Sequence, residues 1–168
     1  MLQKGISHEK IVVIAFIGLI LIAGLIWQTK TIQGVSSKVT SQQVERNKKN
    51  ALAFYQMVFN DHKVRQATET YVADTYIQHN PTVDNGPEAF IKVFETFVKD
   101  NPESSVEVKR VAAEGDLVFV HVYSKANKTD KGEAVVDIFR FDDQGKIVEH
   151  WDVIQPVVEE TVSGNSMF

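Results

Sequence analysis

Residues 133–152 read EAVVDIFRFDDQGKIVEHWD, and this stretch determines how the chain is expected to fold. Residues 133–141 and 146–154 are rich in Val, Ile and aromatic residues, which favour β-strands. The intervening DDQG contains two aspartates and a glycine, which favour a tight turn. The stretch therefore predicts a hairpin of two antiparallel strands.

Two further strand-like segments, 105–112 and 117–126, precede this hairpin and are rich in Val, Phe and Tyr. The sequences between them, 114–116 and 127–132, contain glycine, asparagine and aspartate and are short. Because short connections join antiparallel neighbours, we expect a meander of about four strands.

Helical patterns fill the chain before these strands. Apolar residues recur every three or four positions over 41–60, after a possible capping box TSQQ at 40–43. A short helix over 64–72, a turn-rich loop YIQHNP at 76–81 and a helix beginning at Pro87 follow. Helices followed by strands predict an α+β fold, in which a cone-shaped, bent antiparallel sheet packs on the N-terminal helices and encloses a pocket.

The N-terminal segment is expected to lie apart from this domain. Residues 11–27, IVVIAFIGLILIAGLIW, carry no charge and would span about 25 Å as a helix, near the short end for a bilayer core of about 30 Å. We expect a single transmembrane anchor with the domain outside the cytoplasm; a cleaved signal peptide and secretion are the alternative. The predicted divisions are an anchor or signal segment at 1–27, a linker at 28–40, the domain at 41–155 and a polar tail at 156–168.

Composition and motifs exclude several classes of function. The chain has no cysteine, so disulfides and thiolate chemistry are excluded. Residues 41–168 hold fourteen basic and twenty-one acidic residues, a net charge of −7, which disfavours nucleic acid as a partner. Neither a glycine-rich nucleotide-binding motif nor a GxSxG motif occurs.

One acidic residue stands out within the predicted strands. Asp137 shares a strand face with Val135, Phe139 and Phe141. A carboxylate in an apolar row loses hydration, and this is the environment of a general base that works near neutral pH. The alternative interpretation is a structural ion pair with an arginine or a hydrogen bond to a backbone amide.

Three histidines could accompany this acid. His121 shares a strand face with Tyr123, His79 lies in the loop after Tyr76, and His150 shares a face with Asp152 on the last strand. Each could line a pocket, and each could equally be a hydrogen-bonded structural residue; periodicity does not decide which face points inward. We expect no metal site, because helical metal-binding pairs such as HExxH are missing from the sequence.

The order of elements, YIQHNP at 76–81 and DIFRFDDQGKIVEHWD at 137–152 resemble the SnoaL-like polyketide cyclase family of the nuclear transport factor 2-like superfamily. The tail GNSMF at 164–168 resembles tails of the bacterial branch predicted to perform aldol condensation. The resemblance implies a homodimeric pocket enzyme that needs no cofactor and no metal. It also implies that Asp137 is the acid/base group and that His121 is the assisting histidine.

The leading hypothesis is therefore an enzyme of the aldol-condensation, cyclase, isomerase or lyase type. Asp137 would remove a proton next to a carbonyl of a small apolar substrate, and His121, with His79 or Tyr76 as further candidates, would protonate the oxygen. The residues expected to contact substrate are Tyr76, Phe94, Tyr123, Phe139 and His150. The alternatives are a membrane-anchored module that binds an apolar ligand without chemistry, and a dimerisation domain whose cavity is filled by its own side chains.

Overall fold

The computed structural model describes residues 39–168, so the predicted membrane segment 11–27 lies outside the described range. Three α-helices pack on a five-stranded mixed sheet, which confirms the α+β class. The helices are α1 (Ser41–Tyr55), which continues as a π-helical turn (Gln56–Asn60), α2 (Val64–Tyr71) and α3 (Pro87–Asp100). The strands are β1 (Val72–Gln78), β2 (Ser105–Glu114), β3 (Leu117–Lys125), β4 (Glu133–Phe141) and β5 (Ile147–Pro156).

The sheet differs from the expected antiparallel meander in one strand. Its order is β1-β5-β4-β3-β2, and β1 pairs with β5 in parallel. Residues 72–78 were expected to finish a helix and begin a loop, and this expectation is wrong. Only Val72 and Tyr76 are buried in this strand, and their spacing of four matches a helix as well as an edge strand.

The first helix begins where the sequence predicted. Thr40 accepts a hydrogen bond from the backbone N–H of Gln43, whose side chain reaches back to the backbone N–H of Thr40, so the capping box is formed. The same helix holds the β4–β5 turn: the Arg46 guanidinium donates to the carbonyl of Asp143 at 3.0 Å, and the Asn50 amide donates to the carbonyl of Gly145 at 2.8 Å.

The inner face of the sheet carries the main core against the helices. Val118, Val120 and Val122 of β3 are buried there, together with Phe139 of β4 and Phe54 of α1. The opposite face is half-exposed.

Within 39–168, none of the helices has the length and apolar character that a membrane span requires.

Candidate active site

Two carboxylates and an imidazole meet on the inner face of the sheet where β4 pairs with β5. Asp137 and Asp152 occupy directly opposite positions in this ladder, and His150 lies two residues before Asp152 on the same face. One side-chain oxygen or nitrogen from each of the three lies within 4.8 Å of the others. Asp137 and His150 are buried, each with 6% of its surface exposed.

Asp137 is held by hydrogen bonds at both of its oxygens. His150 Nε2 is 2.6 Å from Oδ1, and the Tyr55 hydroxyl of α1 donates to Oδ2. The burial of this carboxylate is therefore compensated by partners from the neighbouring strand and from the first helix. The alternative interpretation of Asp137 as the partner of an arginine in a structural ion pair is therefore not supported by these contacts.

Gln78, the last residue of β1, orients the ring of His150. Its Oε1 atom lies 2.8 Å from His150 Nδ1 and accepts the backbone N–H groups of His79 and Asn80, each at 3.0 Å. Because two backbone donors require an oxygen at this position, His150 Nδ1 must carry hydrogen and donate to it. Nδ1 is thus protonated in this arrangement.

The position of that hydrogen determines what lies between His150 and Asp137. With Nδ1 protonated, a neutral ring presents the lone pair of Nε2 to Asp137. A contact of 2.6 Å between Nε2 and Oδ1 then requires a proton, on the carboxyl group or on the ring. The buried pair therefore holds one exchangeable proton beside the cavity.

Asp152 is the more accessible of the two carboxylates. It is half-buried, and its Oδ2 accepts a hydrogen bond of 2.5 Å from the Asn80 side chain, in the loop after β1. Within 39–168 the structure gives Asp152 no second side-chain partner. Two neighbouring carboxylates thus lie in different surroundings, and such differences assign separate acid and base roles.

A cavity of about 170 Å³ adjoins these groups. One end holds Asp137, His150, Asp152 and Asn80, and aromatic rings of α1, α3 and β4 form its walls. The lining aromatic residues are Phe54, Tyr55, Phe59, Phe90, Phe94, Phe97 and Phe139. The cavity therefore combines an apolar body with a few convergent polar groups, which is the usual composition of a small-molecule site.

Two tyrosine hydroxyls near the acids stay protonated. Burial raises the pKa of Tyr55 well above its ordinary value, and the neighbouring Asp137 charge raises it further. Burial and the same carboxylate also raise the pKa of Tyr76, whose hydroxyl accepts a hydrogen bond from Gln78 Nε2 at 3.1 Å. Tyr55 is consequently a hydrogen-bond donor over the whole physiological pH range.

Both the sequence and the fold of this chain are similar to those of known proteins. The SnoaL-like domain family matches residues 51–150. The chain belongs to this family. No curated protein matches the sequence. The family assignment covers α1 from its middle through β5 as far as His150, and so includes Tyr55, Gln78 and Asp137.

Solved structures share the SnoaL-like fold at low sequence identity. A proposed polyketide cyclase from Bacillus cereus superposes with a TM-score of 0.59 at 18% identity, covering 73% of this chain and 91% of the other. A proposed SnoaL-like polyketide cyclase from Jannaschia sp. gives 0.56 at 18% identity, with 71% and 92% covered. A proposed ketosteroid isomerase from Kribbella flavida gives 0.57 at 15% identity, with 71% and 84% covered. At sequence identities of 15–18%, these similarities establish the fold alone.

The structure does not bring His121 to Asp137, which corrects the expectation of a shared site. Val120, not His121, lies opposite Asp137 in the β3–β4 ladder, so His121 points to the other face of the sheet. There its Nδ1 lies 2.6 Å from the Arg110 guanidinium, and its ring stacks on Phe168. Tyr123 lies on the same outer face and donates its hydroxyl to the carbonyl of Lys131, so it does not line the cavity as expected.

His79 and Tyr76 also lie away from the cavity lining. The ring of His79 stacks on Trp151 at 4.8 Å on the outer face, and its Nε2 contacts Glu149 at 2.9 Å. Tyr76 is buried behind the acid cluster, where it meets the edge of Phe90 and the amide of Gln78. The expected convergence of Asp137, His121 and His79 on one volume is therefore not found.

The remaining expected residues line the cavity, and the site holds four more that sequence reasoning did not assign; of these four, Gln78 contacts His150 but is not on the cavity surface. Phe94, Phe139 and His150 are on its surface. The unassigned site residues are Tyr55, Gln78, Asn80 and Asp152. Asp152 carried a signal, since it shares a strand face with His150; the other three lie on elements whose approach to β4 and β5 depends on the tertiary fold.

Asp137, His150 and Asp152 are also the one group within 39–168 that could offer three ligands to a metal ion. Their present geometry suits a hydrogen-bonded pair better. Two ligands of a tetrahedral metal with bonds of about 2.0 Å lie about 3.3 Å apart, whereas Asp137 Oδ1 and His150 Nε2 are 2.6 Å apart. A metal would have to break this pair.

Proposed function

We propose that this SnoaL-like domain catalyses proton transfer next to the carbonyl of a small apolar substrate, without a cofactor. The reaction would be of the aldol-condensation, cyclase, isomerase or lyase type, each of which passes through an enol or enolate. The observation that carries the proposal is the proton-holding pair of Asp137 and His150, placed beside the more accessible Asp152 at one end of an aromatic cavity.

Asp152 is the base in this proposal. One of its oxygens is held by Asn80, and the other has no hydrogen-bonding partner among the described residues. Both oxygens of Asp137, by contrast, are already engaged, Oδ2 as the acceptor from Tyr55 and Oδ1 in the hydrogen bond with His150. The base role thus moves from Asp137, where the sequence suggested it, to the carboxylate across the ladder.

The Asp137–His150 pair supplies the complementary acid. As Asp152 takes a proton from the carbon next to the carbonyl, the pair gives its proton to the developing oxyanion, and the net charge of the site is unchanged. Tyr55 continues to donate to Asp137 and stabilises the carboxylate if the proton has left it.

The cavity walls suit the apolar part of such a substrate. Phe54, Phe90 and Phe94 form a contiguous aromatic cluster, with ring centroids 5.5 Å and 4.3 Å apart between neighbours. These rings make the walls apolar, and a substrate packed against them would displace water from the acid end, which would strengthen the electrostatic interactions on which proton transfer depends.

The test is exchange of hydrogen for deuterium at the carbon next to a ketone. A set of small apolar ketones, beginning with 4-phenyl-2-butanone, is incubated with the protein in D₂O and followed by proton NMR. We expect the wild-type chain to exchange hydrogen for deuterium faster than the solution without protein. In Asp152→Asn this acceleration should be lost. Asp143→Asn, which changes an exposed acid on the β4–β5 turn, is the matched control and should exchange like the wild type. Ketones that bind in the cavity without faster exchange would contradict catalysis.

Binding without chemistry is the second candidate function, and the predominance of aromatic lining favours it. That outcome would give saturable ketone binding, with exchange no faster than in the absence of protein for both the wild type and Asp152→Asn. Membrane attachment through residues 11–27 and assembly as a homodimer are further proposals. Fractionation of cells that express the full chain tests the first, and light scattering of the detergent-solubilised full chain tests the second.

A further inference from the structure

The charge of the cavity lining is uneven, and this unevenness bears on which ligands the cavity accepts. Three acidic residues line it, Asp137, Asp152 and Glu133, and no lysine or arginine of the described chain does so. Its single histidine is already paired with Asp137. A ligand therefore enters a partly enclosed, aromatic space whose fixed charges are predominantly negative.

Glu133 lies at the end of the cavity away from the acid pair. It is the first residue of β4 and shares a strand face with Val135 and Asp137, all of which line the cavity. Four residues along a strand place Glu133 about 13 Å from Asp137. Phe97 and Ser124 line the same end as Glu133.

The three carboxyl groups differ in how many hydrogen-bonding or charged partners they already have. Asp137 has Tyr55 and His150, and Asp152 has Asn80. For Glu133, the structure records neither an ion pair nor a side-chain hydrogen bond within 39–168. Lys131, which lines the adjacent surface together with Glu133, is engaged with Glu159 at 2.9 Å.

We propose that the cavity prefers a compact apolar ligand that carries a protonated amine, with the ammonium group at Glu133 and the apolar body against the phenylalanine rings. An ammonium there gains the carboxylate and contact with the Phe97 ring, whereas a carboxylate or phosphate meets repulsion from Glu133 and Asp152. This inference rests on the proposed function for one detail, namely that the carbonyl of the substrate lies at the opposite end. The substrate class is then an amino ketone with its two groups at opposite ends.

The test compares three compounds with similar apolar bodies: 4-phenylbutylamine, 4-phenyl-2-butanone and 4-phenylbutyrate. Their affinities for the full chain are measured by calorimetry at pH 7 and low salt. Because Glu133 is exposed, we expect the amine to bind about two- to fivefold more tightly than the ketone, and the ketone more tightly than the acid. Because an exposed charge is screened by ions, the advantage of the amine should shrink at high salt.

Glu133→Gln tests the placement of the amine. In this variant the amine-to-ketone affinity ratio should fall towards one, whereas Glu114→Gln, which removes an exposed acid at the end of β2, should keep the wild-type ratio. Equal affinities of amine and ketone in the wild type, or an unchanged ratio in Glu133→Gln, would overturn the inference. Deuterium exchange of the neutral ketone is read separately, so a failure of amine selectivity and a failure of proton transfer are distinguishable.

Discussion

Gln78 and His150 face each other across the parallel β1–β5 pair, with Gln78 Oε1 2.8 Å from His150 Nδ1. This contact fixes which nitrogen of the ring faces Asp137. The first strand of the sheet thereby controls the proton between two residues that belong to the last hairpin. Asn80, two residues after Gln78, holds Asp152 from the same side.

Replacing Gln78 should therefore disturb chemistry more than stability. In Gln78→Leu, His150 Nδ1 loses its acceptor, and we expect nitrogen NMR to show a mixture of ring tautomers in place of the Nδ1-protonated form. Deuterium exchange should fall about tenfold or more, because a ring that carries its one hydrogen on Nε2 donates to an ionised Asp137, and the pair then lacks the proton that it would give to the substrate. Gln78→Glu keeps an oxygen at this position and should restore the tautomer. A single wild-type tautomer in Gln78→Leu would contradict the positioning role.

Asp152→Asn should remove the base while keeping the size of the side chain. We expect exchange to fall about 100- to 10,000-fold, the usual contribution of a general base. The melting temperature should change little, because the amide oxygen of the introduced asparagine can still accept a hydrogen bond from Asn80. Thermal unfolding measured beside the kinetics separates the two effects. Retention of wild-type exchange would move the base role back to Asp137.

Tyr55→Phe should affect both stability and pH dependence. Removing the hydroxyl takes one donor from a buried carboxylate, at a cost of about 1–3 kcal/mol in the free energy of unfolding. In the wild type, the raised pKa of Tyr55 means that the phenol ionises more readily in the unfolded chain. Stability from this group is therefore fully present below about pH 10 and declines as the pH rises further. Unfolding titrations from pH 7 to 11 should show a shallower alkaline decline in the variant.

Glu149 on the outer face should give the opposite pH dependence. Its contacts with His79 and with the guanidinium of Arg140 lower the pKa of its carboxyl group. A lowered pKa in the folded state contributes stability that is present above the unfolded value of 4.5 and is lost as the pH falls through the folded value. Glu149→Gln should flatten the acid side of the stability profile, and deuterium exchange at pH 7 should be unaffected. If the acid side of the stability profile were the same in Glu149→Gln as in the wild type, the contacts of Glu149 with His79 and Arg140 would contribute nothing to stability.

Gly145→Ala should destabilise the β4–β5 turn for two separable reasons. Gly145 has φ of 85°, and an added Cβ would lie 2.6 Å from Arg46 Nε. The backbone strain alone should cost about 1–3 kcal/mol. Combining the change with Arg46→Ala removes the shortest steric contact but keeps the backbone strain and the approach of the added Cβ to Asn50 Nδ2 at 3.1 Å. Denaturant unfolding of the single and double variants should therefore show less than additive losses, and strictly additive losses would argue against the contact.

The hairpin around Asp137 was predictable from sequence because two segments rich in Val, Ile and aromatic residues flank the short turn DDQG. Successive side chains of a strand alternate between its two faces. The same alternation divides β3 into the row of Val118, Val120 and Val122 and the row of His121 and Tyr123. Which row faces inward, and which residue lies opposite Asp137, depends on the register between β3 and β4. The connection between those strands is too long for its turn type to fix that register, so the sequence alone did not place His121 on the outer face.

The contacts of Tyr55, Gln78 and Asn80 could not be predicted from local pattern. In the sequence, Tyr55 is one of several apolar residues on the buried face of a helix. Its hydroxyl nevertheless reaches Asp137, which lies 82 residues further along the chain. The segment around Gln78 and Asn80 has the pattern of a loop because β1 buries only Val72 and Tyr76. An edge strand with so few buried residues is recognised only through its partner β5, whose pairing with it is a tertiary contact.

The parallel pairing of β1 with β5 has a consequence for how the protein matures. Gln78 and His150 are separated by 72 residues, so the chain must close a long loop before the two can meet. An intermediate that contained only the meander of β2 to β5 would carry Asp137, His150 and Asp152 without the groups that orient them. Catalytic competence should therefore arise only in the last step of folding, and refolding followed by deuterium exchange would lag behind recovery of β-sheet signal.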